Sequence, residues 1–220
     1  SLTKMMNPNA CYFHVDEALR GSFFSQEESW IYPQRNKIIL FSTGCTTFWK
    51  GPDMMLKTAK VLKNNGIDFE WLVAGKMDTK LRKIVEHHEN CKFEDVNIKL
   101  IGFTKPEKLV QYLCNSTLYV HTAYIENSPN SICEAQMLGV PIVSTNVGGI
   151  STLLDGNGKL VPANDPWQMA NAILDLAKNK EKMIRFSQMG KKIAFKRHSP
   201  SLIKKQLLNC YLSILENKSV

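Results

Sequence analysis

The chain has 220 residues, of which 44% are hydrophobic and 22% charged, and its formal net charge is +8. These values fit one globular α/β domain with a sizeable core and exclude two large domains. No stretch approaches the roughly 20 apolar residues needed to cross a bilayer. Residues 1–10 lack the apolar run of a signal peptide. Because they also lack an initial Met, we expect a cytoplasmic piece of a longer chain.

A cluster of basic residues lies near the C-terminus, comprising Lys191, Lys192, Lys196, Arg197, Lys204 and Lys205. Its simplest interpretation is a solvated face. Attraction to a phosphorylated ligand, or to the inner face of an anionic membrane as a peripheral protein, stays open. Nucleic acid is not expected as a partner, because aromatic residues do not interleave with the basic ones. We expect no metal either, because the cysteines form no C-x-x-C pair and the histidines no metal-ligand spacing.

Residues 1–36 are predicted to be an irregular connector, whereas strand and helix patterns alternate along residues 37–220. Short apolar runs typical of strands buried on both faces occur at 38–41, 69–74, 98–101, 118–120, 140–144 and 159–161. Helical patterns occur at 52–65, 78–89, 106–114, 130–138, 166–178, 180–194 and 200–215. The alternation predicts an α/β, Rossmann-like three-layer α/β/α domain with a mainly parallel sheet of about six strands and C-terminal helices.

In an open parallel sheet, ligands bind beyond the carboxyl ends of the strands. The first segment at such an end runs from Ser42 to Gly51. Gly44 permits close approach of the backbone to a ligand, and Lys50 offers a positive charge to a phosphate. The alternative is an ordinary loop with a surface lysine, because single Gly and Lys signals are weak.

The second segment is a polar loop from His121 into the helix predicted to start at Asn130. The free N–H groups of a helix start bind anions. Two carboxylates, Glu126 in the loop and Glu134 in the helix, are spaced to grip sugar hydroxyls at two points of an extended ligand. The alternatives are a capping box between Ser131 and Glu134 and a solvated loop carboxylate at Glu126. His121 is a candidate lining residue only.

The third segment is the pair Gly148-Gly149, which follows the fifth predicted strand. Two glycines at a strand end let the backbone approach a ligand closely. A tight turn is an equally good interpretation of the same pair.

Six motifs follow one another over roughly residues 37–195: Gly44 to Gly51, Glu126-x7-Glu134, Glu134-Ala135-x3-Gly139-Val140-Pro141-Ile142-Val143, Gly148-Gly149, Gly158-x-Leu160-Val161 and Asp165. In order and spacing this set resembles the C-terminal, donor-binding lobe of GT-B glycosyltransferases, and most of all the large retaining family four, or glycosyl transferases group 1. Each motif is weak alone, but the ordered set is specific. It therefore favours the functional interpretations over their alternatives.

The resemblance implies a role for each candidate residue. Lys50, next to the turn at Gly44, would bind the donor diphosphate, and Glu134 would hold the ribose hydroxyls of the nucleotide. Glu126, the catalytic candidate, would contact the transferred sugar. The phosphates and sugar would be cradled by the segment Asn127, Ser128, Pro129, Asn130, Ser131 and Ile132. The donor substrate would be a nucleotide sugar such as a UDP- or GDP-sugar, transferred with retention and without a cofactor or metal.

The chain departs from the family pattern at Cys45, where Arg is common. Arg binds phosphate bidentately and Cys cannot, so either a nearby Lys compensates or donor binding is weaker. The family also has an N-terminal lobe that carries the acceptor site, whereas only a connector precedes the first strand here. We therefore expect this chain to bind nucleotide or nucleotide sugar weakly and, without the missing N-terminal acceptor lobe, to transfer nothing.

Three functions stay open. The preferred one is the donor lobe of a hexosyltransferase, which its family associates with polysaccharide or lipopolysaccharide assembly. A non-catalytic nucleotide-binding or interaction module of the same fold is favoured by Cys45 and opposed by the two glutamates, Glu126 and Glu134. A sugar-nucleotide epimerase lobe is disfavoured, since epimerases carry different carboxylate and histidine patterns.

Overall fold

The computed structural model describes residues 2–24, 29–44 and 46–217. Its strands are β1 Ile38–Thr43, β2 Phe69–Ala74, β3 Ile98–Gly102, β4 Leu118–His121, β5 Ile142–Thr145 and β6 Lys159–Val161. Its helices are α1 Leu2–Met6, α2 Pro52–Asn64, α3 Thr79–His88, α4 Pro106–Cys114, α5 Asn130–Met137, α6 Ile150–Leu153, α7 Pro166–Ala177, α8 Lys180–Arg197 and α9 Pro200–Asn217. Every predicted strand and helix is present with small differences at its ends.

The strands form one parallel sheet in the order β3-β2-β1-β4-β5-β6. The order reverses between β1 and β4, which lie side by side although three helices separate them along the chain. Such a switch point opens a crevice beyond the carboxyl ends of its two strands. The predicted segments after β1 and β4 therefore meet at this crevice.

Helices cover both faces of the sheet. Helix α2 packs against α3 and α7, while α5 packs against α8. Right-handed crossovers between parallel strands place successive helices in this way. The inner strands β4 and β5 are buried along their whole length, because both of their faces are covered. The prediction of a Rossmann-like three-layer α/β/α fold with about six strands is confirmed.

The short helices α1 and α6 are absent from the sequence-based prediction, since four or five residues carry too little periodicity to be recognised. Because α1 and a 3-10 turn at Gly21–Phe23 lie within residues 1–36, the expectation that this segment is wholly irregular is wrong. The segment also packs onto the domain. Phe23 and Trp30 are buried, and the Trp30 indole N–H donates to the carbonyl of Ser116 at 2.9 Å. The domain boundary at residue 36 itself stays a prediction.

Within the part of the chain that the structure describes, no helix combines the length and the apolar character needed to cross a membrane.

Candidate functional site

A pocket of about 390 Å³ lies at the switch point. Six of the residues expected to bind the donor line it: Gly44, Lys50, Pro129, Asn130, Ser131 and Glu134. They come from the loop after β1 and from the start of α5, which are more than 70 residues apart in sequence. The parallel order of β1 and β4 brings them together.

Lys50 ends a 3-10 turn, Phe48–Lys50, and Gly51 follows in the left-handed region with φ of 68°. A Cβ atom at Gly51 would lie 2.0 Å from the carbonyl oxygen of Thr122. The Thr122 hydroxyl donates in turn to the Lys50 carbonyl at 3.0 Å. Glycine is needed at 51 because the loops after β1 and β4 touch there, and this contact sets the direction of Lys50.

The carboxylate of Glu126 is contacted by two hydrogen-bond donors. The Lys50 ammonium forms an ion pair with its Oε1, and His121 Nε2 lies 3.1 Å from the same oxygen. Burial raises the pKa of Glu126, but the hydrogen bonds and charges of His121 and Lys50 outweigh it and hold that pKa below its ordinary value. Glu126 is therefore ionised at neutral pH, and it accepts hydrogen bonds there but does not donate them.

The glycine pair contacts the Glu126 loop. A Cβ atom at Gly148 would lie 1.8 Å from the Glu126 carbonyl oxygen, and one at Gly149 would lie 2.4 Å from that of Asn127. The Gly149 N–H donates to the Asn127 carbonyl at 3.0 Å. In this structure the close approach that Gly148-Gly149 permits is to the loop itself, so the pair holds Glu126 in place from the side of β5.

Glu134 lies in α5 and is paired with Arg20. The guanidinium donates from Nε to Oε1 and from its second terminal nitrogen to Oε2, both at 2.8 Å. Burial raises the pKa of Glu134, and Arg20 lowers it by a smaller amount. The capping-box alternative is wrong, because Pro129 precedes the helix, no side chain caps it, and Ser131 already lies inside α5.

Helix α5 starts at the pocket. The N–H groups of Ile132 and Cys133 both donate to the Pro129 carbonyl, whereas those of Asn130 and Ser131 are among the first N–H groups of a helix, which have no carbonyl partner within it. Asn130 and Ser131 both line the pocket. The helix start therefore directs positive partial charge into it.

Four predicted site residues do not line this pocket. Glu126 lies beneath Lys50, while Asn127 and Ser128 are exposed in the loop. Ile132 is fully buried, and its N–H is bonded to Pro129. Cys45, where the family commonly has Arg, falls outside the described residues.

Arg20 is the charged residue of the pocket lining that sequence reasoning missed. It lines the pocket from the segment treated as a connector. A single Arg in an irregular stretch carries no periodic or motif signal, so only the folded contact with Glu134 reveals it. Within the described residues no group of three or more His, Cys, Asp or Glu side chains is placed to hold a metal ion. The absence of a cofactor stays a prediction.

The fold is that of a Rossmann-like domain, and its ligand crevice combines the cations of Lys50 and Arg20, the start of α5 and the carboxylate of Glu134. The family model of glycosyl transferases group 1 matches residues 25–193. The chain therefore belongs to this family.

Two curated relatives illustrate the match. The amylovoran biosynthesis glycosyltransferase AmsK of Erwinia amylovora is 25% identical over 155 residues, which are 66% of this chain and 37% of AmsK. The D-inositol 3-phosphate glycosyltransferase of Paenarthrobacter aurescens is 31% identical over 132 residues, which are 58% of this chain and 32% of that protein. The matched region is thus about a third of the length of either relative.

Solved structures have the same fold. Anabaena HepE, in a crystal structure with UDP and glucose, superposes with a TM-score of 0.68 at 20% identity, over 81% of this chain and 49% of HepE. TarM of S. aureus has a TM-score of 0.73 at 19% identity, over 94% of this chain and 41% of TarM.

Proposed function

We propose that this chain is the donor-binding lobe of a retaining hexosyltransferase and that its pocket takes a nucleotide sugar, such as a UDP- or GDP-sugar. The observation that carries the proposal is the composition of one pocket at the switch point. Lys50, the start of α5 and Glu134 all line it. This arrangement fits a ligand that has an anionic centre with hydroxyl groups beside it.

The diphosphate of the donor is assigned to Lys50 and the start of α5. An ammonium has three N–H donors, and Lys50 uses one for Glu126, so donors remain for phosphate oxygens. The Asn130 and Ser131 N–H groups add the partial charge of the helix start. A cation and a helix dipole together stabilise the charge that develops on a leaving diphosphate, so the proposal needs no metal.

The two carboxylates are assigned to hydroxyl groups. Glu134 takes the ribose hydroxyls, and Glu126 takes a hydroxyl of the transferred sugar. Ionised Glu126 accepts hydrogen bonds, and both Lys50 and His121 contact its Oε1. We assign Glu126 to positioning the sugar and not to proton donation, because its lowered pKa keeps it ionised.

Transfer by the whole protein would also require an acceptor lobe. We propose that this chain alone binds the donor weakly and transfers nothing. The whole protein would be cytoplasmic and would act in polysaccharide assembly, as the name of AmsK suggests for that relative. Peripheral membrane attachment is assigned to the exposed lysines of the C-terminal cluster, Lys192, Lys196, Lys204 and Lys205. Lys191 and Arg197 instead bond to Ser29 and Gln136.

Calorimetric titration of the chain with UDP, GDP, ADP and their sugars tests the donor proposal. We expect one base to bind, and Glu134→Ala to weaken its binding by roughly tenfold or more, because the ribose hydroxyls lose a charged acceptor. Glu181→Ala, at the exposed start of α8, is the matched control and should bind as the wild type does.

The result that contradicts the proposal is the absence of binding by every nucleotide and nucleotide sugar. Equal affinities in Glu134→Ala and the wild type would remove Glu134 from the site.

A further inference from the structure

Arg20 reaches the pocket from a segment whose backbone is anchored on both sides of it. His198 Nδ1 donates to the Glu17 carbonyl at 2.8 Å. The Phe23 ring is fully buried, and the Arg20 guanidinium lies 5.0 Å from its centroid. The backbone around Arg20 is therefore held against the domain, while its side chain is 48% exposed at the mouth of the pocket.

The guanidinium occupies both oxygens of Glu134. Its two N–H groups donate in parallel at 2.8 Å each, and the Glu134 side chain is left only 9% exposed. A vicinal diol that binds a carboxylate bidentately also places one donor on each of its two oxygens. A guanidinium and a diol therefore cannot hold Glu134 bidentately at the same time.

We propose that Arg20 is an internal competitor for the ribose position, occupying the carboxylate of Glu134 until the two hydroxyls of a nucleotide displace it. This inference rests on the proposed function, because it needs Glu134 to be the ribose-binding carboxylate. The side chain of Arg20 is half-exposed, so it can rotate into solvent when it is displaced. The anchored backbone keeps it close enough to return to Glu134. The carboxylate stays hydrogen-bonded in both states, by the guanidinium or by the ribose.

The competition lowers the apparent affinity for nucleotide. When only a fraction of the molecules has an open site, the measured dissociation constant rises by the inverse of that fraction. An open fraction of about one tenth gives roughly a tenfold weakening. Removal of Arg20 should therefore increase the affinity for nucleotide by that factor. Removal of a residue that contacts the ligand would instead decrease the affinity.

The test is titration of UDP and GDP into the wild type, Arg20→Gln and Arg20→Lys. We expect Arg20→Gln to bind the nucleotide roughly tenfold more tightly, and Arg20→Lys, which keeps the charge but loses the fork of two donors, to lie in between. Arg185→Gln is the matched control, since Arg185 also lies over a phenylalanine ring, 5.5 Å from the Phe186 centroid, on α8. Thermal unfolding of each variant checks that it is folded, and Arg20→Lys carries the test if Arg20→Gln is not.

The outcomes separate the two proposals. Tighter binding by both Arg20 variants, or binding by them alone, supports the competition. Equal or weaker binding by these variants, with a wild type that binds, overturns it and leaves the donor proposal standing. Weaker binding in particular would make Arg20 a direct ligand contact. No binding by the wild type or by any variant overturns the donor proposal and the competition with it.

Discussion

At the scale of the residue, the two carboxylates differ in how their charge is compensated. Glu126 is contacted by Lys50 and His121, and its pKa is lowered. Glu134 is contacted by Arg20, but burial has the larger effect and raises its pKa. The pKa values of these two glutamates, eight positions apart, are thus shifted in opposite directions. The reason is that burial and the neighbouring positive groups contribute in different proportions at the two positions.

The lowered pKa of Glu126 predicts a pH-dependent contribution to stability. Its folded pKa lies below the ordinary value of 4.5, so the ionised carboxylate stabilises the fold above that pH, and the contribution disappears as the pH falls through the folded pKa. We expect Glu126→Gln to lower the free energy of unfolding at pH 7 and to lose this deficit in more acidic solution. Urea unfolding over a pH series measures it.

Glu181→Gln, at the exposed start of α8, serves as the control for the loss of a carboxylate. The prediction is contradicted if the difference in the free energy of unfolding between the wild type and Glu126→Gln is the same at every pH. That result would show that the ion pair with Lys50 does not stabilise the fold.

Motifs in the sequence singled out Lys50, Glu126 and Glu134 as candidates, and Lys50 and Glu134 line the pocket at the switch point. The partners of these residues could not be predicted. Arg20 belongs to no motif and is 114 positions from Glu134. His121 lines the pocket as expected, but its contact with Glu126 was not predicted. Such contacts depend on which distant segments of the chain fold back onto the pocket. The residue types in the sequence do not give that information.

At the scale of the element, α5 connects the pocket to the C-terminal helices. Gln136, buried in α5, donates to Asn157 Oδ1 at 2.6 Å and to the Leu153 carbonyl at 2.8 Å. It accepts from Arg197 of α8 at 2.5 Å. One side chain thus joins α5, the turn after α6 and α8, and this network fixes the helix whose first turn lines the pocket.

Gln136→Ala should therefore destabilise the domain. The change leaves Asn157 and Arg197 without a partner that each has now, and a buried polar group left unsatisfied costs about 1–3 kcal/mol. Gln111→Ala, in the exposed face of α4, removes the same side chain at a position where it accepts a solvent-exposed hydrogen bond from Lys108. Urea unfolding of both variants measures the difference. Equal stabilities would mean that the network does not hold α5.

The elements themselves were largely predictable. Apolar runs marked the strands, and Pro at the first turn marked α2, α4 and α7. The helices that were not predicted, α1 and α6, are five and four residues long. Their formation depends on packing and on the chain around them more than on periodicity.

At the scale of the whole molecule, the chain matches only 37% of AmsK and 32% of the inositol 3-phosphate relative. Supplied with the nucleotide sugar proposed as its donor, this chain alone should transfer no sugar to an acceptor. The physical reason is that a donor pocket orients only one of two reactants, and the rate gain from orientation requires both. Titration and a transfer assay on the same preparation check this prediction. Sustained transfer by this chain alone would contradict it.

The sequence by itself determined the fold class, the order of strands and helices, and the identity of Lys50, Glu126 and Glu134 as candidates, because local periodicity and motif spacing are written along the chain. Only the tertiary structure decided their partners: Lys50 on Glu126, Arg20 on Glu134, and the glycine pair at Gly148-Gly149 against the Glu126 loop. These contacts join segments that are far apart in sequence. They exist only once the sheet has placed β1 beside β4 and the segment before β1 has packed onto the pocket.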